Sequence, residues 1–168
     1  MRKIDTELIE KTVCELALSA CVSVTPECEA AMLKAEKAET EPLSGFALGV
    51  MNENFRIAKE KGLPVCQDTG LSCVMLEIGQ DVFLTGKPLS DAINDGVRRA
   101  YKDGHFRMGT VDPITRINRG DNTPAVIYTE IVSGDKIKID FMPKGFGSEN
   151  MSKVYMLTPA DGVDGIID

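Results

Sequence analysis

The stretch P-V-C-Q-D-T-G places a cysteine, Cys66, directly beside an amide, Gln67, and a carboxylate, Asp68. It ends in a glycine turn at Gly70 and precedes an apolar run. A thiolate is a soft metal donor suited to iron–sulfur clusters, whereas an amide and a carboxylate bind polar ligands. The alternative interpretation is a buried cysteine that precedes an ordinary turn and binds no ligand. Composition alone favours that alternative interpretation.

Two further stretches offer groups that bind anions. The run K-G-F-G-S contains Gly147 and precedes a helix predicted to open at Ser148 or Glu149, where backbone N–H groups and the helix dipole favour negative charge. It lacks the spacing of a Walker A loop. Downstream of a predicted helix lies Arg107, whose guanidinium is a natural partner for a carboxylate. A common glycine turn and a solvated surface arginine are the alternative interpretations.

Composition narrows the classes of function. The 168 residues carry a formal net charge of -7, which argues against nucleic acid as the main partner. A single histidine, His105, nearly rules out histidine zinc sites and Ser-His-Asp triads built from this chain. Five cysteines without a compact disulfide framework favour a reducing, cytoplasmic compartment. No apolar run approaches the roughly 20 residues of a membrane helix.

Helices must position the first of these loops. Apolar spacing predicts one helix over residues 5–20, and Thr25-Pro26 reads as an N-cap with proline at the first position of another. A third helix is predicted over residues 43–61, ending at Gly62. Cys14, Cys21 and Cys28 are seven residues apart, but the Thr25-Pro26 break places Cys28 on a separate helix. Buried thiols are therefore favoured over a metal site there.

Mixed secondary structure follows the Cys66 loop. We predict a buried strand over residues 72–78 and a helix capped by Ser90 that ends near Gly104. Two β-rich runs, residues 125–132 and 136–142, joined by S-G-D, predict a β-hairpin. The expected fold class is α+β (mixed α/β): a helical part of about residues 1–62, then a mixed sheet with flanking helices over about residues 63–168.

The last residues, T-P-A-D-G-V-D-G-I-I-D, predict the start of a helix at Thr158-Pro159. The apolar pair Ile166-Ile167 lies almost at the terminus without a capping signal. This pattern is typical of an element that is beginning. We therefore expect a chain that is truncated rather than one with a natural end.

Three ordered motifs together resemble a known family. They are P-V-C-Q-D-T-G, the long run from H-F-R-M-G-T to T-E-I-V-S-G-D, and K-G-F-G-S-E-N-M-S. They resemble the class I (iron–sulfur) fumarate hydratases and the L-tartrate dehydratases. The match is to the alpha subunit, or to the N-terminal catalytic domain of the fused form. It covers nearly the whole chain and does not fix the substrate.

The resemblance implies a [4Fe-4S] cluster held by three cysteines, with one iron left open as a Lewis acid for a substrate hydroxyl. Cys66 matches the first cluster ligand. Gln67 and Asp68 match positions that contact substrate, and Arg107 matches an arginine that holds a substrate carboxylate. Gly147 matches a backbone position at the substrate. The implied reaction is the reversible hydration of fumarate to malate, with a small dicarboxylate as ligand.

The chain departs from the family pattern in two ways. Phe146 occupies the middle glycine of K-G-G-G-S, where it either reshapes the pocket wall or, pointing into the core, leaves it unchanged. The other two cluster cysteines are expected beyond Asp168, and the catalytic base in a beta subunit or C-terminal domain. We therefore expect this chain to be inactive alone and the complete enzyme to be a homo-oligomer. Two alternatives stay open: a fragment of an L-tartrate dehydratase alpha subunit, and a non-catalytic stand-alone binding module.

Overall fold

The computed structural model describes the backbone of residues 1–168 and every side chain except those of Ser148 and Glu149. Its elements, in chain order, are β1 (Arg2–Asp5), α1 (Thr6–Val22), α2 (Pro26–Ala38), α3 (Pro42–Lys61), β2 (Leu71–Gly79), β3 (Val82–Thr85), α4 (Leu89–Asp103), β4 (Val126–Val132), β5 (Ile137–Lys144), α5 (Phe146–Met151), a 3-10 turn (Pro159–Asp161) and α6 (Gly162–Ile167). The mixed α/β class expected from the sequence is confirmed.

Local capping explains the first three helices. The Asp5 carboxylate accepts a hydrogen bond of 2.9 Å from the Glu7 N–H and starts α1. Thr25 caps α2 in the same way, with Pro26 at the first helical position, so Cys28 lies on a separate helix as predicted. Gly62 ends α3 in the left-handed conformation, φ 63°, which glycine adopts without steric cost.

The main sheet has the strand order β4-β2-β5, with β2 parallel to β4 and antiparallel to β5. The predicted β-hairpin is therefore wrong, because β4 and β5 flank β2 instead of pairing with each other. Residues 133–136 cross the end of β2, where the Gly79 N–H donates to the Lys136 carbonyl at 2.8 Å. A Cβ on Gly79 would lie 2.3 Å from the Gly134 carbonyl oxygen, so only glycine permits this crossing.

Three further differences from the sequence predictions concern one additional sheet and the starts of two helices. A two-stranded parallel sheet, β1-β3, was not predicted. Helix α4 begins after Pro88, whose φ of -52° already suits a helix entry, so the prediction that Ser90 caps this helix is wrong. Helix α5 begins at Phe146, two residues before the predicted start.

The hydrophobic core lies between α1, α4 and one face of the β4-β2-β5 sheet. Its fully buried side chains include Val13 of α1, Val74 of β2, and Ile93, Val97 and Tyr101 of α4. Helices α2 and α3 lie outside this core, since α2 has no buried residue and α3 has one, Ala58. Among the described residues, none of the helices has the length and apolar composition needed to cross a bilayer.

Candidate functional site

Three loop segments meet at one edge of the main sheet, where β2 and β4 begin and β5 ends. They are the loop before β2, which carries Cys66 to Gly70, the segment after α4, which carries Arg107, and the glycine loop at the start of α5. The Thr69 hydroxyl donates a hydrogen bond of 2.7 Å to the Arg107 carbonyl. The fold thus brings together the segments of all five predicted site residues.

The carboxylate of Asp68 joins the first loop to the glycine loop. One oxygen accepts from the Gly70 N–H at 3.2 Å, and the other accepts from the Phe146 N–H at 2.9 Å. An N–H at the start of α5 therefore already has an anionic partner within the chain. Each carboxylate oxygen keeps a further lone pair, with which Asp68 can accept from a ligand hydroxyl.

Buried hydroxyl groups fix the backbone beneath Cys66. Tyr101 is fully buried, and its hydroxyl donates to the carbonyls of Thr69 and Gly70 at 2.5 and 3.1 Å. Burial raises the pKa of the Tyr101 hydroxyl, so it remains a protonated donor at neutral pH. The Tyr101 ring also packs edge-on against Phe106, with centroids 5.6 Å apart. The turn after Cys66 is therefore anchored to helix α4.

The side chains with ligand-binding chemistry face solvent above this anchored backbone. Cys66, Gln67 and Arg107 are exposed. Within the described part of the chain, no ion pair involves the Arg107 guanidinium. A Cβ on Gly147 would meet open space, so its backbone is accessible from outside. A fixed frame thus presents a thiol, an amide and an uncompensated cation.

Phe146 lies against the Arg107 segment instead of the hydrophobic core. A Cβ on Gly109 would come within 2.5 Å of Phe146 Cε2, so the aromatic ring fills the space that a side chain there would occupy. Phe146 is half-buried and is absent from the residues packed on the core of α1, α4 and the sheet. Of the two alternatives for this residue, its position is that of a wall beside the site.

The position of Cys66 is suited to one of the ligands of an iron–sulfur cluster. It is an exposed thiol on a loop, whereas Cys14, Cys21 and Cys73 are buried. Burial raises the pKa of Cys21 to about 11, which keeps this thiol protonated and unsuited to metal at neutral pH. Among the described residues, no three His, Cys, Asp or Glu side chains are grouped closely enough to hold a metal ion. A cluster held through Cys66 needs ligands in addition to those described here.

Sequence reasoning missed the residues that hold the frame: Thr69, Tyr101 and Asn122. Tyr101 reads as one more apolar position of an amphipathic helix, and nothing in its spacing indicates a hydroxyl aimed at a loop. Asn122 lies in the run R-G-D-N-T-P, where neither residue type nor spacing indicates a buried amide. The neighbouring Asp121 carboxylate accepts from the Thr123 N–H at 3.0 Å and from the Arg98 guanidinium at 3.1 Å.

Comparisons with known proteins give a consistent result. The family model for fumarate hydratase (Fumerase) matches residues 10–168. A putative L(+)-tartrate dehydratase subunit alpha of Methanocaldococcus jannaschii is 36% identical over 164 residues, covering 94% of this chain and 58% of that protein. A putative class I fumarate hydratase of Geobacillus stearothermophilus is 28% identical over 155 residues, covering 90% of this chain and 30% of that protein.

An anaerobic class I fumarate hydratase of Escherichia coli is 34% identical over 110 residues, covering 64% of this chain and 20% of that protein. The chain therefore spans 58%, 30% and 20% of the lengths of these three relatives. Because each relative is longer, activities named for them are those of larger proteins.

Proposed function

The chain belongs to the fumarate hydratase (Fumerase) family, and from this we propose that it is part of a [4Fe-4S]-dependent hydro-lyase that reversibly hydrates fumarate to malate. The observation that carries the proposal is that Cys66, Gln67 and Arg107 are exposed on adjoining segments of a frame that the buried Thr69 and Tyr101 hydroxyl groups fix. A thiol next to an amide on one segment, and an exposed guanidinium on the adjoining one, suit an anionic ligand held next to a metal centre.

Each proposed site residue has a role that follows from its chemistry. Arg107 binds one carboxylate of the substrate through its guanidinium fork. Gln67 supplies both a donor and an acceptor for the second carboxylate or the hydroxyl. Asp68 accepts from the substrate hydroxyl, because its charge would repel a carboxylate and its backbone partners hold it in place. The Gly147 backbone lines the substrate at the open side.

Cys66 is the residue of this chain that would hold the cluster, through its exposed thiolate. When bound, the cluster supplies a Lewis-acidic iron for the substrate hydroxyl. Two further cysteine ligands are proposed to lie in the chain beyond residue 168, and the catalytic base in a beta subunit or C-terminal domain of the same enzyme. This requirement makes a beta subunit, or a C-terminal domain of the same enzyme, the proposed partner. Several of the relatives, among them the Methanocaldococcus jannaschii protein, carry the name subunit alpha.

L-tartrate dehydration is the second candidate function. Its support is the 36% identical relative, which is named a putative L(+)-tartrate dehydratase subunit alpha. Malate and tartrate are both hydroxy-dicarboxylates that lose water from adjacent C–OH and C–H bonds, so the same Arg107 and Gln67 chemistry serves either. The cytoplasm remains the proposed compartment, because iron–sulfur clusters and cysteines kept as thiols are both favoured by reducing conditions. A homo-oligomer of the complete enzyme is proposed as the working form.

The test is anaerobic reconstitution with iron and sulfide of this chain alone and of the complete alpha–beta assembly, whose alpha subunit extends beyond residue 168. We expect a stable cluster, scored by iron content and visible absorption, only in the assembly. Activity is then measured as turnover of fumarate, malate and tartrate, and the ratio of kcat/KM values assigns the substrate. An assembly that turns over none of these acids would sink the proposal.

Two cysteine variants provide the matched controls. Cys66→Ser should abolish cluster retention in the assembly, because a hydroxyl is a poor ligand for iron–sulfur clusters. Cys28→Ser changes another exposed thiol on helix α2 and should leave iron content unchanged. Equal cluster retention by both variants would remove Cys66 from the ligand set. A stable cluster in this chain alone would favour a local ligand set and contradict the split site.

A further inference from the structure

A fully buried asparagine, Asn122, connects two of the three site segments through its side chain. Its Oδ1 accepts from the Gly109 N–H at 2.9 Å and from the Thr110 N–H at 3.1 Å. The Thr110 hydroxyl lies 3.1 Å from the same oxygen. Its Nδ2 donates to the Gly70 carbonyl at 3.0 Å. One amide thus bonds the backbone two residues after Arg107 to the backbone four residues after Cys66.

An amide is required for this connection. The oxygen faces backbone N–H donors and the nitrogen faces a carbonyl, so the two ends of the side chain need an acceptor and a donor. A carboxylate there would lose the donor and bury a charge, and an apolar residue would leave several backbone groups unpaired. The neighbours fix the rotamer and leave a single arrangement.

The backbone around Asn122 is also built for this purpose. Its φ is 55°, in the left-handed region that asparagine tolerates better than most residues. On one side, the Asp121 carboxylate is held by Arg98 of helix α4 at 3.1 Å. On the other side, Thr123 donates both its N–H and its hydroxyl to Asp121, at 3.0 and 2.9 Å. The amide is therefore presented from a turn attached to α4.

We propose that Asn122 is a positioning residue that, together with the Thr69–Arg107 hydrogen bond, sets the spacing between the Cys66–Asp68 loop and Arg107. Its consequence for catalysis rests on the proposed function. Asn122 does not touch the proposed ligand, since its four partners are all groups of the chain beneath the site. It acts on the ligand through the backbone that carries Arg107 and the loop that carries Cys66.

The experiment uses two variants at this position and one matched control. Asn122→Gly removes the amide without strain, because glycine accepts positive φ. Asn122→Asp keeps the acceptor for Gly109 and Thr110 but removes the donor to Gly70. Asn94→Ala is the control, since Asn94 also accepts from a backbone N–H, that of Ala125 at 2.8 Å, but has no bond to the site segments.

The first readout is amide hydrogen exchange in the chain as it stands. Asn122→Gly should accelerate exchange at Gly109 and Thr110 by about tenfold or more beyond any global change in stability. Asn122→Asp should keep most of that protection. Asn94→Ala should accelerate exchange at Ala125 and not at Gly109 or Thr110. Unchanged exchange at Gly109 and Thr110 in Asn122→Gly would overturn the proposal.

The second readout is the division between KM and kcat in the complete alpha–beta assembly. A displaced Arg107 weakens substrate binding, so Asn122→Gly should raise KM by about tenfold. Asn122→Asp should raise it less. A merely structural role would reduce the folded fraction and lower apparent kcat at unchanged KM, as expected for Asn94→Ala. That pattern in Asn122→Gly would overturn the proposal.

The two readouts separate this inference from the proposed function. If the unmodified assembly turns over none of the acids, the hydro-lyase proposal fails. In that case the exchange of Gly109 and Thr110 still decides whether Asn122 links the two segments. If the assembly is active and Asn122→Gly matches it in both readouts, the positioning role fails and the hydro-lyase proposal stands.

Discussion

Two parts of the chain are stabilised in opposite ways. The site frame, defined as residues 66–70, 105–110 and 144–147, rests on the core of α1, α4 and the sheet through buried hydroxyl and amide groups. The helical hairpin, defined as α2 and α3, has one buried residue, Ala58. It leaves large apolar side chains in solvent, among them Leu43 at 80% and Phe46 at 70% exposure.

The difference shows which parts of the chain are energetically coupled. Buried polar groups must keep their partners, so movement in the site frame carries the cost of unpaired groups and disturbs the core. The helical hairpin is held by capping and by its own ion pairs, such as those of Arg56 with Glu53 and Glu60. Exposed pairs of that kind contribute little to folding. Substitutions should therefore divide by region more than by residue type.

The largest expected effect compares a core aliphatic with a hairpin aliphatic. Ile93→Ala empties a fully buried position between α1, α4 and the sheet, and should lower the free energy of unfolding by about 2–5 kcal/mol. Leu43→Ala should change it by less than about 0.5 kcal/mol, because that side chain is already exposed. Urea denaturation of both variants measures the difference. Equal losses would show that α3 is buried in solution.

The next largest effect is a loss of stability at alkaline pH, which arises from groups in the hydrophobic core. Burial raises the pKa of Cys21 from 9.0 to about 11. Above pH 9 the unfolded thiol ionises while the folded thiol does not, so the free energy of unfolding should fall by about 2–3 kcal/mol between pH 9 and 11. Burial raises the pKa of Tyr101 too, which adds a further loss above pH 10.

Cys21→Ala tests the assignment of that alkaline loss. The variant removes the titrating thiol from α1, so the fall in stability between pH 9 and 11 should become shallower, even though the cavity lowers stability at neutral pH. Thermal denaturation across this pH range measures the slope. An identical slope in Cys21→Ala and the unmodified chain would assign the loss to other groups.

A double substitution examines the wall of the site. Gly109→Ala should cost about 1–3 kcal/mol, because the new methyl group meets the Phe146 ring. In a Phe146→Ala background the same change should cost much less, since the opposing ring is gone. The coupling energy from the four proteins measures the contact. Additive effects would mean that Phe146 does not lie against Gly109 in solution.

The sequence predicted the parts of the fold that depend on local interactions. Asp5, Thr25 and Gly62 act within one turn of their helices, so their signals can be read along the chain. The arrangement of β4 and β5 could not be read in this way, since a turn signal at S-G-D does not reveal that β2 inserts between the strands. The absence of a side chain at Gly79 decides that outcome through a contact 55 residues away in sequence, with Gly134.

The residues of the candidate site also differ in whether local sequence could predict them. The sequence motifs identified the candidate site residues by their ligand-binding side chains and glycine spacing: Cys66, Gln67, Asp68, Arg107 and Gly147. Their roles remain predictions. The residues that hold them, Tyr101 and Asn122, act over 31 and 52 residues of sequence, respectively, to reach Gly70. A buried hydroxyl and a buried amide have no periodic signature, so their function is visible only once the loops are assembled.

The smallest expected effect tests whether the two regions are connected at all. Asn54 of α3 donates a hydrogen bond of 2.8 Å to the Val65 carbonyl, next to Cys66, while the Val65 N–H donates to the Cys21 carbonyl of α1 at 2.9 Å. Asn54→Ala removes the first of these two hydrogen bonds, which is exposed, and should lower the free energy of unfolding by about 0.5–1 kcal/mol. Because the hydrogen bond to α1 remains, the Cys66 loop should become more mobile without unfolding.

The alkylation rate of Cys66 reports that loosening against an internal reference, the exposed Cys28 of α2. In Asn54→Ala the rate at Cys66 should rise relative to that at Cys28, because less backbone movement is restrained around the thiol. Asn52→Ala is a control within the same helix, since the Asn52 side chain bonds the Glu36 carboxylate of α2 at 2.5 Å and does not reach the loop. A rise at Cys66 in Asn54→Ala alone would make α3 the outer support of the site loop. If the ratio of the Cys66 rate to the Cys28 rate is unchanged in both variants, the core alone holds the Cys66 loop in place. The helical hairpin would then be independent of the site.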